Sequence, residues 1–277
     1  MLIFTKIAEL QDFLNKQRRL QKSIGFVPTM GALHQGHISL IETSKKSCDF
    51  TVCSIFVNPT QFNDKSDLER YPRTPEADTE LLIKASCDVL FLPNVNEVYP
   101  TQTKESFDFG HLDHILEGSA RPNHFNGVAQ VVKRFFEIIE PTKAFFGSKD
   151  YQQVMVVKKL VQQMKSPIEI IACPILRETD GLAMSSRNTL LNTQERAAAK
   201  IIPALMVKAK KMALEIGISD AKAWVQSEMS KEVLFKLDYF EICDTESLKI
   251  LDEITQPDKT IAVIALFVGR IRLLDNL

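Results

Sequence analysis

Ile24-Gly25-Phe26-Val27-Pro28-Thr29-Met30-Gly31-Ala32-Leu33-His34-Gln35-Gly36-His37-Ile38-Ser39-Leu40-Ile41 is the stretch that decides the fold. Its apolar start, Ile24 to Val27, reads as a short buried strand. Pro28 to Gly36 breaks that strand, and Ile38, Leu40 and Ile41 resume with helical spacing. Upstream, Ile7, Leu10, Phe13 and Leu14 give a helical stripe. Downstream, a strand-like run from Thr51 to Val57 stops at Asn58-Pro59. Helical Glu76 to Ala85 then precedes apolar Val89 to Leu92, helical Val128 to Ile139 precedes Ala144 to Phe146, and helical Tyr151 to Met164 precedes Ile168 to Ala172. Five or so short strands alternating with helices imply right-handed crossovers and an open parallel α/β sheet. Ligands of such sheets bind beyond the carboxyl ends of the strands, here the loops after Val27, Val57, Phe146 and Ala172. After Pro174 the rhythm changes. Helical Gln194 to Leu214 and Asp220 to Met229 join strands near Tyr239 to Ile242 and Ile261 to Val268, a smaller α+β domain. The expected domains are 1-175 and 176-277.

Composition limits the function. With 45% hydrophobic and 25% charged residues in a chain of 277, the protein is globular rather than disordered. Its 34 Lys and Arg nearly balance 35 Asp and Glu, so no global basic field recruits nucleic acid or an anionic membrane. The longest apolar run, Ile261 to Val268, is far below the roughly 20 residues a membrane helix needs. The opening Met-Leu-Ile-Phe turns polar at once, unlike a signal peptide, and a cytoplasmic location is expected. The five cysteines, Cys48, Cys53, Cys87, Cys173 and Cys243, are scattered without a Cys-x-x-Cys pair, as for reduced core thiols.

Three loops carry chemical groups. In Pro28 to His37, His34 and His37 stand three residues apart, a spacing that puts both on one face at a helix start, beside unpaired backbone N–H groups suited to phosphate. The bland alternative is that one histidine caps the helix and the other is a surface residue. Phe146-Gly147-Ser148-Lys149-Asp150 ends a second strand with a movable cation and an N-cap candidate. Arg177 to Asn188 offers the hydroxyls of Ser185 and Ser186 and the guanidinium of Arg187, a set suited to polyphosphate, or else a plain helix start. A second His-x-x-His, His111 and His114, raises a metal site, but its polar surroundings without a cysteine fit solvated surface histidines better.

Together these loops resemble the class I nucleotidyltransferase superfamily, with its Rossmann-like sheet and His-x-Gly-His nucleotide loop. Six ordered motifs narrow the likeness: Val27 to His37, Phe56 to Phe62 (FVNPTQF), Tyr71 to Pro75 (YPRTP), Phe125 to Val132 (FNGVAQVV), Phe146 to Gln153 (FGSKDYQQ) and Asp180 to Asn188 (DGLAMSSRN). Across almost the whole chain they resemble the pantoate–β-alanine ligases. The resemblance implies ATP-dependent condensation of pantoate with β-alanine through a pantoyl adenylate, with AMP and pyrophosphate released. It implies Mg²⁺ and a cytosolic homodimer; the second domain is expected to close over ATP because the Ser185 to Arg187 loop sits at the domain boundary while the His loop belongs to the first domain. It assigns ATP binding to Met30, Gly31, Ala32, Leu33, His34, Gln35, Gly36, His37, Gly147, Ser148, Lys149, Asp150, Leu176, Met184, Ser185, Ser186 and Arg187. Pantoate falls to Gln61 and Gln153, β-alanine to Gln61, and catalysis to His37, His34 and Lys149. Within these, His37 is the expected general acid, through a ring protonated near neutrality. Asp78 is the metal candidate. Asn123 stands before His124 where the family commonly has glycine, a departure that bears on the flexibility of that loop and on any substrate-gating role for Arg121 or His124. The alternatives are an adenylyltransferase of the same fold and a non-catalytic nucleotide-binding protein.

Overall fold

The computed structural model describes residues 1–63, 65–101 and 105–277. It divides into two compact units, Met1–Pro174 and Ile175–Leu277.

The first unit runs β1 (Leu2–Phe4), α1 (Ile7–Arg19), β2 (Ile24–Thr29), α2 (Gln35–Ser47), β3 (Phe50–Ile55), α3 (Lys65–Arg70), α4 (Pro75–Lys84), β4 (Val89–Phe91), α5 (Val95–Val98), α6 (Leu116–Ala120), α7 (His124–Ile139), β5 (Lys143–Gly147), α8 (Tyr151–Gln163) and β6 (Glu169–Cys173). All its strand pairs are parallel, in the order β1-β4-β3-β2-β5-β6. The chain leaves β2 toward β3 and β4 on one side, and then returns to build β5 and β6 on the other. That reversal opens a crevice at the carboxyl ends of β2 and β5, where open α/β sheets bind ligands. The His34–His37 loop leaves β2 there, and the Ser148–Asp150 turn leaves β5.

The sheet is anchored by α7, whose Val128, Val131, Val132, Phe135, Phe136 and Ile139 are buried at helical spacing. Phe135 meets Phe26, Phe56 and Phe91 edge-on, at centroid distances of 5.9, 5.7 and 6.0 Å. Its truncation to Ala would cost about 3–5 kcal/mol. Strand β1 was not foreseen. It has three residues, its Leu2 and Ile3 are half exposed, and it becomes a strand only by pairing with β4.

The second unit contains α9 (Thr193–Ala199), α10 (Ile201–Glu215) and α11 (Ile218–Ser230) on an antiparallel sheet of β7 (Phe235–Asp244), β8 (Thr260–Val268) and β9 (Ile271–Asn276). A 3₁₀ turn at Ser186–Leu190 precedes α9. The helix expected over Gln194 to Leu214 is two helices. Pro203 supplies no N–H, and its ring excludes the carbonyl of Ala199, so the chain breaks at Lys200. Four of the five cysteines are buried, and all are unbridged. No helix among the described residues is long and apolar enough to cross a membrane.

Candidate functional site

The loop between β2 and α2 is bound largely to itself and to α4. The backbone N–H of Gly31 donates to Thr29 Oγ1 at 3.3 Å, and those of Ala32 and Leu33 donate to Asp78 Oδ2 and Oδ1 at 2.9 and 2.7 Å. His34 N–H donates to His37 Nδ1 at 3.2 Å, while Gly36 N–H donates to His34 Nδ1 at 3.1 Å. These bonds correct the expectation of unpaired loop amides, since most of them already face protein acceptors. The two rings form a reciprocal capping box at the start of α2, built from histidines in place of the usual hydroxyl and carboxylate. Capping and chemistry are therefore compatible at His34.

The capping box fixes the tautomers. A backbone N–H needs a lone pair, so both Nδ1 atoms are unprotonated and each neutral ring carries its hydrogen on Nε2. Burial pushes the His37 pKa down to about 3. The neighbouring His34 and Lys149 lower it too, and Asp150 opposes them. His37 is thus a neutral hydrogen-bond donor at pH 7, which corrects the expected ring protonated near neutrality.

The crevice brings Lys149 and Asp150 within electrostatic reach of His37. Lys149 Nζ lies 3.3 Å from Asp150 Oδ1, and the carboxylate is about half exposed. Gly147 and Ser148 are half-buried beside them. Met30 lies on the same side, its Sδ 3.1 Å from Gln61 Nε2. Gln61 is buried in the Pro59–Gln61 turn, and its Oε1 accepts from Asn58 Nδ2 at 3.1 Å, so its amide N–H₂ is the end presented toward Met30.

Asn58, only 1% exposed, also donates to the carbonyl of Gly127 and accepts from the Tyr99 hydroxyl. Gly127 explains the FNGVAQVV motif. A Cβ there would stand 2.3 Å from the carbonyl oxygen of Thr60 and 2.7 Å from Gln61 Cα, so only glycine lets α7 touch the turn that carries Gln61.

Of the adjacent glutamines, Gln152 is structural. It is buried, donates to the carbonyls of Leu112 and Ile115, and accepts from Glu117 N–H. Gln153 is half-buried on the next position of α8. His124 Nδ1 lies 2.9 Å from the Gln61 carbonyl and its Nε2 lies 3.2 Å from Arg121 Nη1, which makes it another neutral ring. Burial, then Arg121, pushes its pKa down to about 4. Asn123 precedes it at φ +66°, a left-handed position that asparagine tolerates better than other non-glycine residues, which accounts for its standing in for glycine.

Asp78, the metal candidate, is placed otherwise. It is 1% exposed, and besides the two loop amides it accepts from Thr74 Oγ1 at 3.1 Å. A carboxylate surrounded by three donors is a poor metal ligand, because a cation would have to displace them. Among the described residues no cluster of three His, Cys, Asp or Glu is suited to a metal. His111 and His114 are both exposed.

In the second unit, Met184 N–H donates to the Leu176 carbonyl at 3.0 Å, which makes these two residues hydrogen-bonded neighbours. Ser185 Oγ caps the turn by accepting from Arg187 N–H, and Ser186 is buried. Asn188 ties this turn to Glu178 and to the carbonyl of Ala183. Arg196 holds Glu178 and Asp180 at 2.6 and 2.7 Å. Asp180 and Asn188 of the DGLAMSSRN motif therefore build the loop that carries the hydroxyls. Sequence reasoning passed over Asn58, Gly127, Gln152 and the loop-holding role of Asp78. The FVNPTQF and YPRTP motifs contained or flanked two of them.

The family model described as Pantoate-beta-alanine ligase matches residues 2–277. A pantothenate synthetase of Porphyromonas gingivalis is 46% identical over 277 residues, covering 100% of this chain and 99% of that protein. One from Cytophaga hutchinsonii is 47% identical over 279 residues, with 100% and 99% covered. The crystal structure of pantothenate synthetase from Thermus thermophilus superposes with a TM-score of 0.92 at 38% identity, covering 100% of this chain and 99% of that one. A pantoate-beta-alanine ligase from Francisella tularensis, complexed with beta-gamma ATP and beta-alanine, gives 0.84 at 34% identity, with 100% and 97% covered.

Proposed function

Because the chain belongs to the pantoate–β-alanine ligase family, we propose that it condenses pantoate with β-alanine at the expense of ATP through a pantoyl adenylate. A carboxylate does not form an amide at neutral pH, since oxide would have to leave. Attack of the pantoate carboxylate on the α-phosphorus expels pyrophosphate and gives a mixed anhydride. The β-alanine amine then attacks the acyl carbon, the C–O bond to phosphate breaks, AMP leaves, and the amine gives up its proton.

Both steps move negative charge on phosphate oxygens, which calls for fixed donors rather than a covalent nucleophile. The observation that carries the proposal is the paired neutral imidazoles at the β2 crevice, locked with Nε2–H as donor and standing beside Lys149. We assign His34, His37 and Lys149 to the triphosphate, with His37 acting as a hydrogen-bond donor. The ribose falls to Gly147 and Asp150. Gln61 and Gln153 take pantoate, and the fixed amide of Gln61 also borders the β-alanine path. The turn at Ser185, Ser186 and Arg187 is assigned to phosphate, and Leu176 and Met184 to adenine.

Mg²⁺ is proposed to arrive with ATP, bound to phosphate oxygens, because Asp78 does not fit as its ligand. A cytosolic homodimer is proposed on the same family premise, with sedimentation velocity as its check. The decisive experiment is pyrophosphate release with ATP and pantoate, with and without β-alanine. Pantoate-dependent pyrophosphate release, with AMP release requiring β-alanine, is expected. AMP transfer to a phosphate acceptor would instead mark an adenylyltransferase, and ATP binding without turnover would mark a binding protein.

A further inference from the structure

We infer that Asp78 is a positioning residue that holds the β2–α2 loop in the shape that aims His34 and His37, and that it does not ligate the metal. The inference rests on the function proposed above. Gly31 at φ +85° and Ala32 at φ +49° put two successive residues in the left-handed region, a turn that non-glycine residues resist. The amides that leave this turn, Ala32 and Leu33, both end on the Asp78 carboxylate. A Cβ on Gly31 would come within 3.1 Å of Asp78 Oδ2 and of Ile55 Cγ2, so the carboxylate also fits closely against the turn.

Asp78 is itself held in place. Thr74, the N-cap residue of α4, donates its hydroxyl to Oδ1, and Asp78 N–H donates to the Thr74 carbonyl at 2.8 Å. Pro75 begins the helix. Arg73 donates to the carbonyls of Leu68, Glu69 and Tyr71, and the buried Tyr71 packs edge-on against Phe62 at 5.7 Å. The YPRTP motif ends three residues before Asp78. It forms the brace that presents Asp78 to the loop, and the capping box then passes the loop's position to both rings.

Asp78→Asn tests this, since its amide turns a donor toward one of two backbone donors. The readouts are NMR amide exchange at Ala32 and Leu33, KM for ATP and kcat of pantoate-dependent pyrophosphate release, and the Mg²⁺ concentration giving half the maximal rate. The expected result is a folded variant by circular dichroism whose two amides exchange about 10-fold faster, the worth of one net hydrogen bond. The adenylation rate should fall by about 100-fold, as for a reacting group displaced by roughly an ångström. Half-saturating Mg²⁺ should not move.

A rightward shift of the Mg²⁺ curve with recovery at high Mg²⁺ would overturn the inference in favour of a metal ligand, and so would unchanged amide exchange. Thr74→Val, which removes only the hydroxyl bond to Oδ1, should move the same readouts in the same directions by less. If Asp78→Asn does not fold, unchanged exchange in Thr74→Val overturns the inference. Failure of the proposed function would show separately, as a wild type without pantoate-dependent release, while the exchange readout would still decide the role of Asp78.

Discussion

Acidification separates a neutral from a protonated role for His37. The ordinary imidazole value is 6.5, and in the folded chain burial and the adjacent His34 bring it to about 3. That gap corresponds to roughly 5 kcal/mol against the imidazolium. Part of the resistance is geometric, because a proton on Nδ1 would face the His34 N–H that now donates to it at 3.2 Å. At pH 5 about 1 ring in 100 would be protonated, against about 97 in 100 for an unshifted ring. The kcat/KM for ATP in pantoate-dependent pyrophosphate release, which reports ionisations of the free enzyme, should therefore contain none from His37 between pH 8 and 5. Side-chain ¹⁵N signals of the ring should stay those of the neutral Nε2–H tautomer over the same range. His37→Ala should keep the fold and lose about two to four powers of ten in rate. His37→Gln, which keeps a neutral N–H donor, should lose less. An apparent pKa between 6 and 7 in the wild-type kcat/KM that disappears in His37→Gln would refute this reasoning and restore the ring as a proton donor.

Gly127→Ala should cost the first unit about 1–3 kcal/mol of stability, since the new methyl overpacks the turn carrying Gln61, and should raise the KM for pantoate; an unchanged KM would show that the turn yields freely. Gln153→Ala should mainly raise the pantoate concentration needed, whereas Lys149→Ala should lower the rate of the first half-reaction at saturating pantoate. Full rescue of the lysine variant by more pantoate would contradict its assignment to charge developing on phosphate. Stability of the first unit should fall as pH drops from 6.5 toward 4, because unfolded His124 takes up a proton that the folded ring refuses. The slope is about 1.4 kcal/mol per pH unit for that residue. Urea unfolding followed by α7 amide signals checks this, since the single tryptophan, Trp224, reports only the second unit. A His124→Asn variant with the wild-type slope would count against it.

The α/β alternation was legible because the inner strands are short, mostly apolar runs, such as Ile24–Val27, and the longer helices show their own spacing. Periodicity carried less where tertiary pairing makes the element. Strand β1 takes its strand character from β4, and β9, Ile271–Asn276, lacks alternation and is set by its hairpin with β8. The α9–α10 break was written in Pro203, whose effect on the carbonyl four residues earlier outweighs a continuous run of good helix formers. Among site residues, the chemical groups were readable by type and setting. The pairings that hold them were not: some join positions distant in sequence, such as Leu33 with Asp78 and Gln61 with His124, and the local ones at His34 and His37 depend on which ring nitrogen the folded loop turns toward a backbone amide.

Those pairings share one consequence. His34, His37 and His124 each have a ring nitrogen held in a hydrogen bond that fixes a neutral form, two by backbone N–H groups and one between an arginine and a carbonyl. Under the function proposed above, His34 and His37, whose ring hydrogen sits on Nε2, would present donors whose direction and charge stay constant while the phosphate charge changes, whereas both ring nitrogens of His124 are engaged within the protein. The net positive charge needed against the triphosphate then has to come from side chains that do not titrate near neutrality, and lysine and arginine meet that requirement. In the first unit the function proposed above gives this role to Lys149, on a turn at the end of β5, where the strand order reverses.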